Sequence, residues 1–211
     1  MSVEINWDRM HFKTIITTPV RSDGTFGPGI SQWSSHGLLG STVDDGQLPP
    51  RTILWMNGVV ADLWTPNNSI YHALDAISSD YEKLATAVLE HNQNSLRDDV
   101  EETLAMPSSR VVLIDRASLE PEFRGQGGVG RLLISYILRH LVGDGDGIAV
   151  TLPHPFEVDS NDPEFEAELR KVRHVWQSIG FHPVNDDVWI LDSASTTHSA
   201  AIERLEEKLG V

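Results

Sequence analysis

The stretch VVLIDRASLEPEFRGQGGVGRLLISYILRHL, residues 111 to 141, decides the fold of this 211-residue chain. It opens with an apolar run that predicts a strand, and a polar connector follows. Four glycines then stand within the six residues from Gly125 to Gly130. Apolar residues recur at helical spacing from Val129 to Leu141. The pattern predicts a strand, a glycine loop and a helix in succession.

A glycine loop in front of a helix favours an anion site. Glycines adopt positive φ, and no Cβ separates their amides from an incoming group. The first turn of the helix adds unpaired N–H groups and a partial positive charge. We expect a site of phosphate or pyrophosphate size, although a tight turn that packs the helix close to its strand would also use glycines.

Three classes of phosphate-binding loop share these letters. Gly125, Gly127 and Gly130 satisfy G-x-G-x-x-G, but a Rossmann loop begins within a residue or two of its strand and needs an acid after the next strand. Here the next strand candidate, IAVTL, ends in proline and histidine. A P-loop requires lysine and then serine or threonine after its last glycine, where Arg131 and Leu132 stand. Both classes are disfavoured.

The third class fits best. The run SLEPEFRGQGGVGRLL, residues 118 to 133, resembles the signature of the GNAT acetyltransferase superfamily, where a glycine connector leads from a strand into the helix that seats coenzyme A. One extra glycine departs from the family spacing. The run VRHVWQSIGFHPV, residues 172 to 184, resembles the segment that ends the last core helix of that family. The resemblance covers about residues 110 to 192.

This resemblance implies an N-acetyltransferase with acetyl-CoA as acyl donor, which transfers the acetyl group to an amine of a small molecule or protein by direct attack on the thioester. The loop amides would hold the pyrophosphate. The residues that it implies for cofactor binding are Leu119, Arg124, Gly125, Gln126, Gly127, Gly128, Val129, Gly130 and Arg131.

One position departs from the family in a way that bears on catalysis. A tyrosine four residues before the glycine of the G-F pair often protonates the leaving thiolate in the family. This chain has Trp176 there, and an indole N–H does not give up its proton. The alternative is a catalytically degenerate GNAT-like module that binds acyl-CoA or a partner without turnover. Trp176 and Tyr136 lie on apolar stripes and are expected in the core.

A general base is expected near the strand ends, because the attacking amine must lose a proton. The candidates are His154, Asp115 and Glu120, with His174 less favoured. His154 follows the IAVTL run, and imidazole accepts protons near neutral pH. Asp115 is expected to end the central strand. The nine histidines show no H-E-x-x-H or similar spacing, so we predict no metal site.

Composition limits the remaining classes. A formal charge of −15, with 31 acids against 16 bases, argues against a nucleic-acid partner. The acids would attract a cationic acceptor such as an amine, or they serve only to keep the protein soluble. We find neither a membrane-span run nor a signal peptide, and expect a soluble, cytoplasmic protein without a membrane partner. The absence of cysteine excludes disulfides, thiolate metal sites and a cysteine nucleophile. A homodimer is compatible with the sequence.

The expected fold is a single α/β (α+β) domain over residues 1–211, with a GNAT-like mixed central sheet flanked by helices. Residues 110–192 would form the acyl-CoA-binding core and residues 193–211 a C-terminal helix. Residues 1–109 align with no motif. Because the family usually places its first helices before a three-strand meander, we predict a rearranged N-terminal half.

The remaining elements follow from local patterns. HFKTIITTP predicts a strand, residues 21–50 a long loop or lid, and the runs around Asn57 and Gly58 a hairpin. TPNNS is expected to cap one helix from Ile70 to Glu90, with residues 91–107 as linker or short helix. IAVTL predicts a strand parallel to the central one. Asp162 and Pro163 are expected to start a helix, DVWILD to form a strand and residues 197–209 a final helix.

Overall fold

The structure is a computed structural model, and it describes residues 5–19, 29–40, 50–65, 70–143, 145–185 and 187–211. The strands are β1 (Met10–Thr17), β2 (Ile30–Leu39), β3 (Arg51–Asp62), β4 (Arg110–Leu119), β5 (Gly147–Thr151), β6 (His182–Pro183) and β7 (Trp189–Asp192). The helices are α1 (Ile70–Asp75), α2 (Ser79–Val88), α3 (Asp98–Glu101), α4 (Val129–Val142), α5 (Phe165–Ser178) and α6 (Thr196–Leu209).

The seven strands of the described residues belong to one mixed sheet in the order β1-β2-β3-β4-β5-β7-β6. The β4 and β5 strands are parallel, and every other neighbouring pair is antiparallel. Parallel strands need a crossover connection, which here is the glycine loop followed by α4. The predicted α/β class, with a mixed sheet flanked by helices, is confirmed, as is the parallel pairing of IAVTL with the central strand.

Helices cover both faces of the sheet. Side chains alternate between the faces of a strand, and in β4 Val112 and Ile114 join the core formed with α4, α5 and α6. Val111 and Leu113 join the second core, formed with α1, α2 and α3. All four are at most 1% exposed, so β4 is the buried centre of the molecule. None of the described helices is both long and apolar enough to cross a bilayer.

The predicted hairpin at Asn57 and Gly58 is wrong, because both residues lie inside the continuous strand β3. A Cβ on Gly58 would stand 1.9 Å from the carbonyl oxygen of Leu113 in β4. Glycine is therefore needed here for a close approach of two backbones rather than for a turn. Asn-Gly is a turn signal only where the chain reverses, and this chain continues.

The predicted loop over residues 21–50 is also wrong in its middle, because residues 30–39 form β2 between β1 and β3. Trp33, Ser35 and Gly37 point inward and are buried. Ser35 and Gly37 occupy two of these three inward positions, so β2 lacks the hydrophobic alternation that predicts a strand. Residues 21–28 and 41–49 lie outside the described residues.

Two helix starts differ from prediction. The long helix expected from Ile70 is divided into α1 and α2, since Ser78 caps α2 by accepting a hydrogen bond from the amide of Tyr81 at 3.3 Å. Asp162 accepts from the amide of Glu164 at 2.8 Å in a turn before α5, which begins at Phe165. Of the expected capping segment TPNNS, residues 65–69, residues 66–69 lie outside the described residues. The strands expected near β1 and β7, the short helix α3 and the final helix α6 are confirmed.

Candidate functional site

The glycine loop joins the end of β4 to α4, and its backbone requires glycine at three positions. Gly125, Gly127 and Gly128 have φ of 71°, 67° and 127°, which side chains rarely tolerate. Gly130 serves close packing instead, because a Cβ there would lie 2.7 Å from a methyl carbon of Leu119. Both structural reasons for glycine, positive φ and close packing, therefore operate in one loop.

Most amides of this loop remain available for a ligand. The amide of Gly127 donates to the carbonyl of Gly125 at 3.0 Å, and that of Val129 to Gln126 at 3.3 Å. Within the part of the chain that the structure describes, five other loop amides donate to no acceptor. They belong to Gly125, Gln126, Gly128, Gly130 and Arg131. Unpaired amides at a helix start can bind an anion.

The side chains around the loop are partly engaged. Arg124 donates from Nε to the carbonyl of Leu119 at 2.9 Å and from both terminal nitrogens to Glu157, at 2.7 and 2.6 Å. These hydrogen bonds lower the pKa of Glu157. Arg131 reaches the carbonyl of Gly127 at 3.4 Å. Gln126 donates from its side chain to the carbonyl of Glu122 at 3.1 Å.

A β-bulge shapes the centre of β4. Asn57 of β3 pairs with Arg116, and the next residue, Gly58, pairs with Ile114. Asp115 is therefore the extra residue, without a direct partner in β3. Asn57 donates from Nδ2 to Oδ2 of Asp115 at 3.1 Å. The expectation that Asp115 ends the strand is wrong, because the ladder with β3 resumes beyond the bulge and carries β4 on to Leu119.

The bulge coincides with the point where β4 and β5 separate. Their parallel pairing ends at Ile114 and Thr151, although β4 continues. The chain after β5 turns away through Leu152 and Pro153 to His154. This gap lies at the carboxyl end of a parallel strand pair, which is where ligands bind in open α/β sheets.

A cavity of about 360 Å³ opens at this gap. Its walls come from α2, from β4 at the bulge, from the segment after β5 and from Asp187 before β7. Of the predicted catalytic residues, Asp115 and His154 both line it. Glu120 is outside its wall, exposed and 3.8 Å from Arg51. His174 is also outside its wall, exposed on α5. The structure thus brings together two of the four candidates.

Three residues of the wall escaped the sequence predictions. Tyr81 from α2 is 7% exposed, and burial together with the charge of Asp115 raises its pKa. Its hydroxyl on an otherwise apolar stripe was the available signal. Arg116 stacks over the ring of Phe156 at 5.1 Å. No local pattern indicated this pair, because it joins β4 to the loop after β5.

The segment after β5 connects the cavity to the glycine loop. His154 lies 5.8 Å, between ring centroids, from Phe156 and 5.2 Å from Phe165. Phe156 makes a cation–π contact with Arg116, and the next residue, Glu157, accepts a hydrogen bond from Arg124. One short stretch of chain therefore contacts both candidate regions.

Trp176 lies in the core, as predicted. It is 6% exposed and packs edge-on against Phe181, with ring centroids 4.9 Å apart. Tyr136 is half-buried, and its hydroxyl donates to Glu206 at 2.7 Å. Burial and this hydrogen bond raise the pKa of Tyr136 to about 12. Neither residue lines the cavity at the bulge.

No protein-family model, curated protein or solved structure matches this chain. The relation to the GNAT superfamily rests on the two sequence runs and stays a prediction. Among the described residues, no three histidine, aspartate or glutamate side chains are grouped so as to hold a metal ion.

Proposed function

We propose that the protein is an acetyl-CoA-dependent N-acyltransferase. The observation that carries the proposal is the set of five amides without acceptor in the loop from Gly125 to Arg131. They stand at the start of α4, directly after the strand that also forms the wall of the cavity. The site for an anion on the loop and the site for an acceptor in the cavity would thus both lie beside strand β4.

The residues present fit a pyrophosphate. Backbone N–H groups suit phosphate oxygens, and a Cβ built on Gly125 would meet no described atom within 4 Å, so the approach is open. Arg131 and Arg124 supply positive charge beside the loop in a chain of net charge −15. The loop would hold coenzyme A, whose thioester would then enter the gap between β4 and β5.

In the proposed reaction, the nitrogen of a neutral amine attacks the thioester carbonyl. A C–N bond forms and the C–S bond breaks, while the amine proton passes to a base and the thiolate takes up a proton. Asp115 and His154 line the cavity where this amine would lie, so either can accept the proton. The products are an acetylated amine and free coenzyme A, and we place the reaction in the cytoplasm.

Calorimetry with coenzyme A and a thiol-release assay with acetyl-CoA and amines test the proposal. The sharpest variants are Gly125→Asp and Gly125→Asn, which have the same shape and the same backbone strain but differ by one negative charge. We expect the aspartate variant to bind coenzyme A at least tenfold more weakly than the asparagine variant. Equal affinities, or binding of ATP or NAD without coenzyme A, would refute the proposed site.

The alternative is a module that binds acyl-CoA without turnover. It is favoured by Trp176, which is buried against Phe181 and offers no acidic proton for the thiolate. The same assays separate the two functions. Binding of acetyl-CoA without thiol release across the amine panel supports the module, whereas amine-dependent release supports the enzyme.

A further inference from the structure

Two neighbouring residues of β4 with opposite charges, Asp115 and Arg116, line the same cavity. Successive side chains of a regular strand point to opposite faces. The bulge at Asp115 breaks that alternation. A carboxylate and a guanidinium from adjacent residues therefore line one cavity.

Neither charge is neutralised by a described residue. Asp115 accepts a hydrogen bond from the neutral amide of Asn57 but forms no ion pair within the described chain. The guanidinium carbon of Arg116 lies 5.1 Å from the centroid of the Phe156 ring, and the guanidinium donates to no described acceptor. A guanidinium beside an aromatic ring can still donate hydrogen bonds from its N–H groups. The other cation of the wall, Lys83, already has Asp80 at 3.9 Å.

Tyr81 adds an independent observation. Its side chain is 7% exposed and lines the cavity, and its hydroxyl has no hydrogen-bond partner among the described residues. The hydroxyl is not one of the buried unpaired atoms of the described residues, so it is accessible from the cavity and can form a hydrogen bond with a ligand or a water there. Beside the carboxylates of Asp80 and Asp187 and the imidazole of His154, the wall therefore offers the anion of Asp115, the cation of Arg116 and this hydroxyl. The ring of Phe156 is part of its apolar surface.

We propose that this cavity binds a free amino acid with an apolar side chain, with its ammonium group at Asp115 and its carboxylate at Arg116. The side chain lies against Phe156. The cavity volume of about 360 Å³ lies within the range of small-molecule sites, about 300–1,000 Å³. A molecule of the size of phenylalanine suits such a site, and a folded protein domain does not. This inference rests on the proposed function for its chemistry, in which the α-amino nitrogen receives the acetyl group.

Calorimetry without coenzyme A tests the binding itself with three probes of one shape. L-Phenylalanine has both charges, 2-phenylethylamine lacks the carboxylate and 3-phenylpropanoate lacks the ammonium group. We expect phenylalanine to bind at least tenfold more tightly than either analogue, since a site built for a polar group rejects ligands without it. Equal binding of phenylalanine and either analogue, or no binding of phenylalanine at millimolar concentration, would overturn the inference.

Two variants assign the charges. Arg116→Gln should bring phenylalanine and 2-phenylethylamine to similar affinities, and Asp115→Asn should do so for phenylalanine and 3-phenylpropanoate. Preserved discrimination in these variants, with unchanged circular dichroism, would also overturn it. Coenzyme A is titrated separately, so a protein that binds phenylalanine but not coenzyme A refutes the proposed function and leaves the amino-acid site standing.

Discussion

Arg124 and Glu157 form a bidentate ion pair, with nitrogen–oxygen distances of 2.7 and 2.6 Å. The pair connects the glycine loop to the segment after β5. The guanidinium that would face a pyrophosphate is thus already held by a carboxylate. Both side chains are substantially exposed, and exposed pairs contribute little to stability. A bound pyrophosphate would compete with Glu157 for the same donors.

We therefore predict that Glu157→Gln tightens coenzyme A binding by about twofold to fivefold, the effect of losing an exposed pair worth up to ~1 kcal/mol. The change removes a competing charge and keeps the shape of the side chain. Isothermal titration at low salt measures it. The matched control is Glu168→Gln, which removes an acid paired with Lys171 on α5 and should leave affinity unchanged. Unchanged or weaker binding in Glu157→Gln would contradict the prediction.

We predict that replacing glycine by alanine lowers the stability of the protein less at Gly125 than at Gly128. Gly125→Ala places a side chain in open space at φ 71°, so only backbone strain opposes it, about 1–2 kcal/mol. Gly128→Ala has φ 127°, and its Cβ would also stand 2.6 Å from a methyl carbon of Leu205. We expect about 1–3 kcal/mol of additional destabilisation from that contact. Urea unfolding of both variants measures the difference, and equal costs would show that α6 does not press on the loop.

Gly58→Ala should be among the most destabilising single substitutions in the sheet. The new Cβ would stand 1.9 Å from the carbonyl oxygen of Leu113, so β3 and β4 must separate. We expect a loss of about 4 kcal/mol or more, measured by urea unfolding. Gly37→Ala is the control, because its Cβ would meet Leu54 at 3.2 Å and a small shift relieves it. A mild effect at Gly58 would favour a turn there and contradict the continuous strand.

Helix α4 could be predicted from the sequence, whereas the course of strand β3 could not. The strand, glycine loop and helix from Val111 to Leu141 were predictable because their signals are local: an apolar run, positive-φ glycines and a 3.6-residue period. Asn57 and Gly58 gave a wrong prediction because an Asn-Gly pair occurs both in turns and where two backbones approach closely. Which of the two applies depends on the neighbouring strand, not on the local sequence. Strand β2 was missed for the same reason, since its pairing with β1 and β3, not its own pattern, makes it a strand.

The candidate site also has some features that the sequence predicts and others that depend on contacts between distant segments. The loop amides follow from the glycines themselves. The cavity depends on the bulge at Asp115, which arises from a one-residue difference between β3 and β4 and leaves no mark in either sequence alone. His154 was predictable because it directly follows a predicted strand. Tyr81 lies among the apolar residues of its helix, so the sequence predicts a core residue there, and no local pattern around Arg116 indicates a site.

Trp176 provides a test of catalysis against packing. Because it is buried against Phe181 and away from the cavity wall, we predict that Trp176→Phe lowers stability by about 1–3 kcal/mol and leaves the rate of thiol release within about twofold. Urea unfolding and the thiol assay at saturating acetyl-CoA measure the two effects. A tenfold loss of rate in a protein that remains folded would mean that the indole takes part in the reaction.

His198 makes the stability of the fold depend on pH. It is 4% exposed, its Nδ1 lies 2.8 Å from the carbonyl oxygen of Ile179, and Nε2 has no partner among the described residues. Burial lowers the pKa of His198 and outweighs the opposing effect of hydrogen bonding with the backbone of Ile179 and Ser135, while the charge of Arg139 lowers the pKa slightly further. Below the ordinary histidine pKa of about 6.5, the unfolded chain therefore binds more protons than the folded one.

The free energy of unfolding should accordingly fall as pH decreases from about 7 towards 5, since stability rises with pH wherever the unfolded state binds more protons. His198→Gln keeps a donor for the carbonyl of Ile179 but cannot titrate, so it should flatten this part of the profile. Urea unfolding at several pH values measures the slope. His174→Gln, an exposed position on α5, is the control and should keep the slope of the unaltered protein. If both variants show the same slope, the buried imidazole is not the group that makes the fold acid-sensitive.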